Sequence, residues 1–194
     1  PKDIPVYAMP RMAEFLRTNG PWSQLVEFGN IELVSLPASD GLQAVAISPE
    51  LVVVHLPVPH RDEFSETVGL GIITPEMKAL YLPDLDSWAE LQEMGGGSLQ
   101  EFVDYYDYLF IDATFWDDNE LGRDMSAIPH PRVKATMDSL QDLSADQRAK
   151  VHFIHYNHSN PIRDPQSAES AEVAKRGFNI ARRGMRLCLD SPDS

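Results

Sequence analysis

The pattern of apolar and polar residues predicts β-strands through most of the first half of the chain. Short runs rich in Val, Ile and Leu are separated by Pro, Asp and Gly, which favour turns. These runs predict strands over residues 3–7, 31–36, 42–47, 52–56, 68–74 and 78–82. The close spacing of the strands from residue 31 onward indicates an antiparallel meander with one buried face. Residues 11–19 instead carry apolar residues at helical spacing and end at Asn19-Gly20-Pro21, a helix stop.

In the second half of the chain, strand patterns alternate with helix patterns. Continuous apolar runs predict buried strands at residues 108–111 and 151–154. Helical patterning predicts helices over residues 88–93, 131–143 and 168–176, and residues 95–97 and 144–147 are predicted to be turns. Residues 178–181 and 185–189 are predicted to form a final pair of strands. Because strands and helices alternate, the predicted fold class is α/β.

The composition indicates one acidic domain. The chain has 194 residues, 43% hydrophobic and 24% charged, which is enough for one core, so residues 1–194 are predicted to form a single domain. The net charge of −14 argues against a nucleic-acid partner, because phosphate binding requires a basic surface. Cys188 is the single cysteine, and the sequence contains no signal peptide and no long apolar segment. We therefore expect a cytoplasmic protein that does not bind membranes.

One stretch, residues 151–161 (VHFIHYNHSNP), places polar groups at the end of a predicted strand. Its apolar run is followed by His155, Asn157, His158 and Asn160, and the stretch ends at Pro161. Neutral imidazole is the commonest metal ligand, so the two histidines are candidate ligands. Taken alone, the stretch is equally typical of a loop whose histidines are structural.

The same arrangement, a His or Asp at the end of a strand, recurs along the chain. Such residues are His60, Asp84, Asp86, Asp112, His130 and His155. Ligands in open α/β layers bind outside the strand ends, so these side chains are predicted to share one cleft. Imidazole nitrogens and carboxylate oxygens together are typical of a metal that activates water or dioxygen.

Each of these residues also has a structural explanation. Asp84 and Asp86 could cap the helix that follows, Asp112 could stabilise a turn, and the histidines could lie in solvent-exposed loops. His55 and His152 are interpreted as structural. The ordered series favours the metal site over the separate explanations. Neither a Ser-His-Asp pattern nor a phosphate-binding glycine loop competes with it.

Several segments resemble the second half of metallo-β-lactamase-fold proteins of the PqqB type, which act in biosynthesis of pyrroloquinoline quinone. The most specific are Asp112-Ala-Thr-Phe-Trp and His155-Tyr-Asn-His-Ser-Asn-Pro161. His60 before a Thr-Val-Gly strand, Leu-Pro-Asp84 and Ile-Pro-His130-Pro add to the resemblance, which extends over residues 4–189. The tRNase Z and PhnP families are similar in the order of these residues only.

This resemblance implies an αββα sandwich and a role for each site residue. By position, His60, Asp84 and His155 resemble metal ligands, and Asp84 resembles the carboxylate that bridges two metals. Asp112, His130 and His158 resemble groups that orient the ligand imidazoles or handle protons, and His158 could replace His155 as ligand. The implied cofactor is a divalent metal, zinc or iron, with one or two ions.

The sequence departs from the family in one large respect. The main metal motif of the family, His-x-His-x-Asp-His, is absent, and three ligands hold one ion only weakly. The chain also begins at Pro1 and enters a strand at once, so we expect it to be the second half of a longer protein. The expected partner is an N-terminal half or a dimer partner, and an apolar sheet face should await that partner.

The resemblance implies a metal-dependent enzyme acting on a small-molecule or peptide-derived substrate. In a hydrolase, Asp84 would position the metal and its water, and His130 would protonate the leaving group. In an oxygenase, iron held by the same ligands would activate dioxygen toward a tyrosine-derived substrate. The alternative is a non-catalytic binding or assembly module that has kept the fold without a complete site. RNA processing is disfavoured by the acidic charge.

Overall fold

A mixed sheet of seven strands organises the structure and carries the candidate site at one edge. The computed structural model describes residues 1–37 and 42–187. Its strands are β1 (Ile4–Ala8), β2 (Ile31–Ser35), β3 (Gln43–Ser48), β4 (Leu51–Pro57), β5 (Val68–Ile73), β6 (Lys78–Leu82), β7 (Tyr108–Asp112), β8 (Val151–Ile154) and β9 (Asn179–Ile180). Its helices are α1 (Pro10–Thr18), α2 (Trp22–Glu27), α3 (Trp88–Glu93), α4 (Leu99–Tyr105), α5 (Val133–Ser139), α6 (Ala145–Ala149) and α7 (Ala168–Lys175), with a 3₁₀ turn at Pro161–Arg163.

The order of strands in the large sheet is β3-β4-β5-β6-β7-β8-β9. Strands β3 to β6 are antiparallel to their neighbours, and β6 to β9 are parallel. Leu82 pairs with Ile111, and Asp112 pairs with Ile154, so β6, β7 and β8 end at nearly the same level. Residues that follow these three strands are therefore delivered to one edge of the sheet.

One face of the sheet packs against helices and forms the core. Side chains from β6, β7 and β8 that share this face are completely buried: Leu80, Leu82, Leu109, Ile111, Val151 and Phe153. Residues of α3, α4, α5 and α7 pack against them in the same cluster, including Leu91, Val103, Met137 and Val173. Burial of these apolar side chains is the main stabilising term for the edge that carries the site.

The opposite face of the sheet is only partly covered. Alternation along the strands places Val53, Leu70, Ile72, Tyr81 and Phe110 there, and each remains partly or largely accessible to solvent. Tyr81 is 45% exposed. An apolar face awaiting a partner was expected from the sequence; the partner itself stays a prediction.

The prediction of one continuous meander from residue 31 is wrong for its first strand. β2 pairs in parallel with β1, from Ile4 opposite Ile31 to Ala8 opposite Ser35, in a separate two-stranded sheet. The chain between them forms α1 and α2, because parallel strands require a crossover connection. The later strands, β3 to β6, do form the predicted antiparallel meander.

Several helices differ from the predicted ones. The predicted helix over 131–143 is shorter, Val133–Ser139, and α6 begins within the predicted turn at 144–147. Helices α2 and α4 were not predicted, although α4 begins with a capping box between Ser98 and Glu101. Residues 185–187 are not in a strand, and the rest of that predicted strand, like Cys188, lies outside the described residues. None of the helices in the described ranges is long and apolar enough to span a membrane.

Candidate metal centre

Five of the six predicted site residues come together at the edge where β4, β6, β7 and β8 end. Asp84 follows β6 by two residues, Asp112 is the last residue of β7, and His155 directly follows β8. His60 follows β4, which runs in the same direction as β6, and His130 reaches the edge from the loop before α5. The predicted shared cleft is therefore formed by the topology of the sheet.

Asp84 lies at the centre of this group. Its Oδ2 is 3.0 Å from Nε2 of His60 and 3.9 Å from Nε2 of His155. Its Oδ1 is 3.4 Å from Nδ1 of His130, is buried, and accepts no hydrogen bond from any residue that the structure describes. A buried carboxylate oxygen without a hydrogen bond is costly, and positive charge close to Asp84 would offset that cost.

A second carboxylate orients His60 toward Asp84. Nδ1 of His60 lies 2.8 Å from Oδ1 of Asp86, and a carboxylate only accepts, so His60 donates its Nδ1–H there. Nε2 of His60 faces the Oδ2 of Asp84, and it presents a lone pair to that oxygen when it carries no proton. Two electron-rich atoms 3.0 Å apart repel each other unless a proton or a metal ion lies between them. Carboxylate–histidine pairs of this kind commonly orient metal ligands.

Two of the donor separations are compatible with a shared metal ion. Ligands at roughly 2.0–2.1 Å in a tetrahedral arrangement lie about 3.4 Å apart. The two separations measured from Oδ2 of Asp84, 3.0 Å to His60 and 3.9 Å to His155, bracket that value. The three residues would leave at least one coordination position for water or another ligand.

Asp112 has a different role, because its carboxylate is already saturated. It is completely buried, and it accepts hydrogen bonds from the amides of Leu85 and Thr114, the hydroxyl of Thr114 and Nδ1 of His130. By distance alone, Asp84, Asp112 and His130 could also hold a metal, since one donor atom from each lies within 4.8 Å of the other two. The four hydrogen bonds leave Asp112 no free lone pair, and they use the Nδ1 of His130. The hydrogen bonds therefore join Asp112 and His130 to each other, next to Asp84.

His130 is held so that it retains a proton. Burial alone would lower the pKa of His130, but the hydrogen bond and charge of Asp112, with the charges of Asp84 and Asp86, outweigh burial and raise that pKa above its usual 6.5. The residue has a φ of +85°, which is rare for a residue with a side chain. Its amide donates to the carbonyl of Asp86, which fixes the loop beside the other carboxylates.

His155 is the most exposed member of the group. Its side chain is 45% accessible, its φ is +59°, and its Nδ1 lies 3.3 Å from the hydroxyl of Thr114. The following loop is fixed by Asn157, whose amide donates to the carbonyl of Thr114, and by the buried Asn160, whose side chain donates to the carbonyl of Ala113. The turn-forming amides of this stretch thus anchor the loop that carries His155.

The structure does not bring His158 to the cluster. The side chain is exposed, and its Nδ1 lies 3.0 Å from Oδ1 of the neighbouring Asn157. No hydrogen bond or ion pair connects it to the other site residues within the described ranges. His152 lies on the opposite face of the sheet, between the rings of Tyr108 and Phe110, where burial lowers its pKa despite a hydrogen bond to the carbonyl of Lys150.

A comparison with protein-family models shows which family this chain belongs to. The model described as "Beta-lactamase superfamily domain" matches residues 1–156, well over half of the chain. The chain belongs to the beta-lactamase superfamily. The matched range includes all five residues of the cluster, from His60 to His155.

Individual proteins are also similar to this chain in sequence or in structure. Coenzyme PQQ synthesis protein B from Pseudomonas fluorescens (strain Pf0-1) is 28% identical over 87% of this chain and 57% of its own length. The protein of the same name from Ruegeria pomeroyi is 35% identical over 64% of this chain and 41% of its own length. A crystal structure of Zn(2+)-bound PqqB from Methylobacterium extorquens superposes with a TM-score of 0.72 at 19% identity, over 96% of this chain and 65% of that one.

These comparisons confirm the predicted fold and the resemblance to PqqB. The chain spans only 41–57% of the length of the two curated relatives. Two residues next to the cluster had no predicted role. Thr114 was named only within the Asp-Ala-Thr-Phe-Trp segment, and Asp86 was predicted to share the cleft but not as a ligand or supporting group. Their hydrogen bonds depend on how separate loops meet, which sequence spacing does not encode.

Proposed function

We propose that this superfamily member is part of a metal-dependent, PqqB-like enzyme of quinone-cofactor synthesis, with His60, Asp84 and His155 as metal ligands. One observation carries the proposal. Asp84 presents Oδ2 to the Nε2 atoms of two histidines, and its buried Oδ1 accepts no hydrogen bond from the residues that the structure describes. The names of the curated relatives support the pathway, and the zinc in the PqqB crystal structure supports a divalent metal.

The bound metal would supply Lewis acidity for hydrolysis if it is zinc, or dioxygen chemistry for oxidation if it is iron. The residues of this chain would orient the ligand imidazoles and donate a proton to the substrate. Asp86 holds the ring of His60 with Nε2 toward Asp84. His130 is the proposed general acid: its Nδ1 is held by Asp112, so Nε2 is the nitrogen free to exchange a proton with substrate. Burial lowers the pKa of His130, but the hydrogen bond and charge of Asp112, with the charges of Asp84 and Asp86, raise it overall and so favour the protonated ring.

The proposed enzyme needs a second part. The chain has no His-x-His-x-Asp-His motif, and it spans little more than half of its relatives. We propose that an N-terminal half, or a dimer partner, supplies the remaining ligands and covers the apolar sheet face that includes Val53, Leu70 and Phe110. The substrate is proposed to be a small molecule or peptide-derived, and the site of action the cytoplasm.

The missing motif also favours a second candidate, a non-catalytic binding or assembly module. Such a module would keep the fold without binding metal tightly. Asp84 with its two histidines has no evident structural purpose in that case, since its buried oxygen costs stability without a cation. The two candidates therefore differ in one measurable property, metal binding at Asp84.

The test is metal content and activity together. Protein purified after growth with zinc or with iron is analysed by mass spectrometry for bound metal, alone and with the first half of a PqqB relative added. The Asp84→Asn variant should lose the metal, whereas Asp142→Asn, a change at an exposed carboxylate, should retain it. Restored pyrroloquinoline quinone production in a bacterium lacking PqqB would support the enzyme. Metal-free protein that also fails to restore production would support the module.

A further inference from the structure

The hydroxyl of Thr114 contacts three groups of the candidate metal centre at once. Thr114 lies two residues beyond the end of β7 and is almost completely buried. Its Oγ1 is 2.7 Å from Oδ1 of Asp112, and 3.3 Å from the Nδ1 atoms of both His130 and His155. A hydroxyl has one hydrogen to donate and two lone pairs that accept, so the direction of each contact can be worked out.

The single hydrogen of the hydroxyl points to Asp112. The carboxylate of Asp112 can only accept, and the distance of 2.7 Å is the shortest of the three. The same oxygen of Asp112 also accepts from the amide of Thr114, which fixes the rotation of the threonine side chain. Consequently, Oγ1 of Thr114 can only accept from the two histidines.

His155 is the histidine that donates to Thr114. His130 has a better acceptor for its Nδ1–H, since Oδ2 of Asp112 is 2.8 Å away. Nδ1 of His155 has no second hydrogen-bond partner in the parts of the chain that the structure describes. Its Nδ1–H therefore goes to Thr114, and a neutral ring with a proton on Nδ1 has a bare Nε2. That Nε2 is the atom that faces Oδ2 of Asp84, at 3.9 Å.

The backbone around Thr114 fixes the position of the same histidine. The amide of Ala113 donates to the carbonyl of Ile154, directly before His155, and the amide of Asn157 donates to the carbonyl of Thr114. These contacts lie on both sides of His155, whose φ of +59° is unfavourable and requires support from its surroundings. The hydroxyl then selects the orientation and the proton position of a ring that the backbone has already placed.

We propose that Thr114 is a positioning residue that holds the proton of His155 on Nδ1 and so keeps Nε2 free to bind a metal. The inference deepens the proposed function and rests on it, because Nε2 of His155 is one of the proposed metal donors. It adds a chain of hydrogen bonds, from His155 to Thr114 to Asp112, in which the buried carboxylate sets the tautomer of an exposed ligand. Orienting contacts of this kind typically change metal affinity by about 10- to 100-fold.

Two substitutions distinguish the effect of the Thr114 hydroxyl from the effect of its methyl group. Thr114→Val keeps the shape of threonine and removes the hydroxyl, whereas Thr114→Ser keeps the hydroxyl and removes the methyl group. Zinc affinity is measured by competition with a chelating dye, and the tautomer of His155 by long-range ¹H–¹⁵N NMR of the metal-free protein. A His155→Gln variant assigns the ring signals.

Thr114→Val should weaken zinc binding by about 10- to 100-fold and move the proton of His155 toward Nε2. Thr114→Ser should leave the tautomer unchanged and the affinity within about 3-fold of wild type, well below the effect of losing an orienting contact. Equal losses in both variants, or a His155 ring protonated on Nε2 in the wild type, would overturn the inference. The wild-type spectrum decides even if Thr114→Val does not fold. Wild-type protein that binds no zinc refutes the proposed function, while the tautomer still reports on Thr114.

Discussion

Replacing Asp112 with asparagine tests whether this carboxylate supports the site or binds the metal. Asp112 accepts four hydrogen bonds, and an asparagine retains one oxygen and presents an amide group to two of the four donors. A hydrogen bond to a buried charged group contributes about 1.5–3 kcal/mol, so Asp112→Asn should lower the free energy of unfolding by about 3–6 kcal/mol. For a chain of this size, that corresponds to a fall in Tm of about 6–24 °C.

The assay is urea unfolding of protein treated with a chelator, so that lost metal does not contribute to the difference. Asp142→Asn, at an exposed position, is the matched control and should unfold like the wild type. If Asp112→Asn leaves the stability of the metal-free protein unchanged and abolishes zinc binding, then Asp112 is a ligand. In that case the assignment of its carboxylate to hydrogen bonding is refuted.

Three further predictions concern neighbouring residues. Asp84→Ala should abolish metal binding and change the stability of the metal-free protein by less than about 1 kcal/mol. The variant loses the contact between Oδ2 and His60, but it also removes the buried Oδ1, which accepts no hydrogen bond from the described residues. A large loss of stability to urea would contradict this. Asn160→Ala should lower the free energy of unfolding by about 2–4 kcal/mol, because the carbonyl of Ala113 and the amide of Ile162 lose a buried partner. Urea unfolding measures this difference, and a change below about 1 kcal/mol would contradict the prediction. His152→Phe should leave zinc content unchanged and reduce the loss of stability between about pH 7.5 and about pH 5.5. Burial lowers the pKa of His152 in the folded protein, so the unfolded chain takes up a proton first as the pH falls below 6.5. The folded protein therefore loses stability on acidification. An equal loss of stability in the variant would show that His152 does not contribute.

The position of the candidate site could be predicted from the sequence because strand ends determine it. Asp84, Asp112 and His155 each follow an apolar run, and parallel strands bring such residues to one edge whatever the details of the loops. From the sequence, His152 is also interpreted as structural, and the structure places it on the face opposite the buried Val151 and Phe153, since successive residues of a strand lie on opposite faces. These features depend only on the period of apolar residues within a strand and on the order of the strands along the chain.

Other features depend on contacts between distant segments, which local patterns do not encode. The apolar run of β2 is compatible with a parallel or an antiparallel neighbour, and only the crossover through α1 and α2 decides between them. His158 has the residue type and spacing of a ligand, yet its side chain is exposed beside Asn157. The proposed role of Thr114 arises from its contacts with Asp112 in the same segment and with His130 and His155 in two separate loops, so it required coordinates.

The central claim is that His60, Asp84 and His155 hold a metal ion while Asp112 and His130 support them. The most direct test is an anomalous difference map at the zinc edge from crystals of the protein grown with zinc. The account predicts a peak within bonding distance of Nε2 of His60, Oδ2 of Asp84 and Nε2 of His155. A peak bonded to Asp112 and Nδ1 of His130, or no peak beside Asp84, would contradict it.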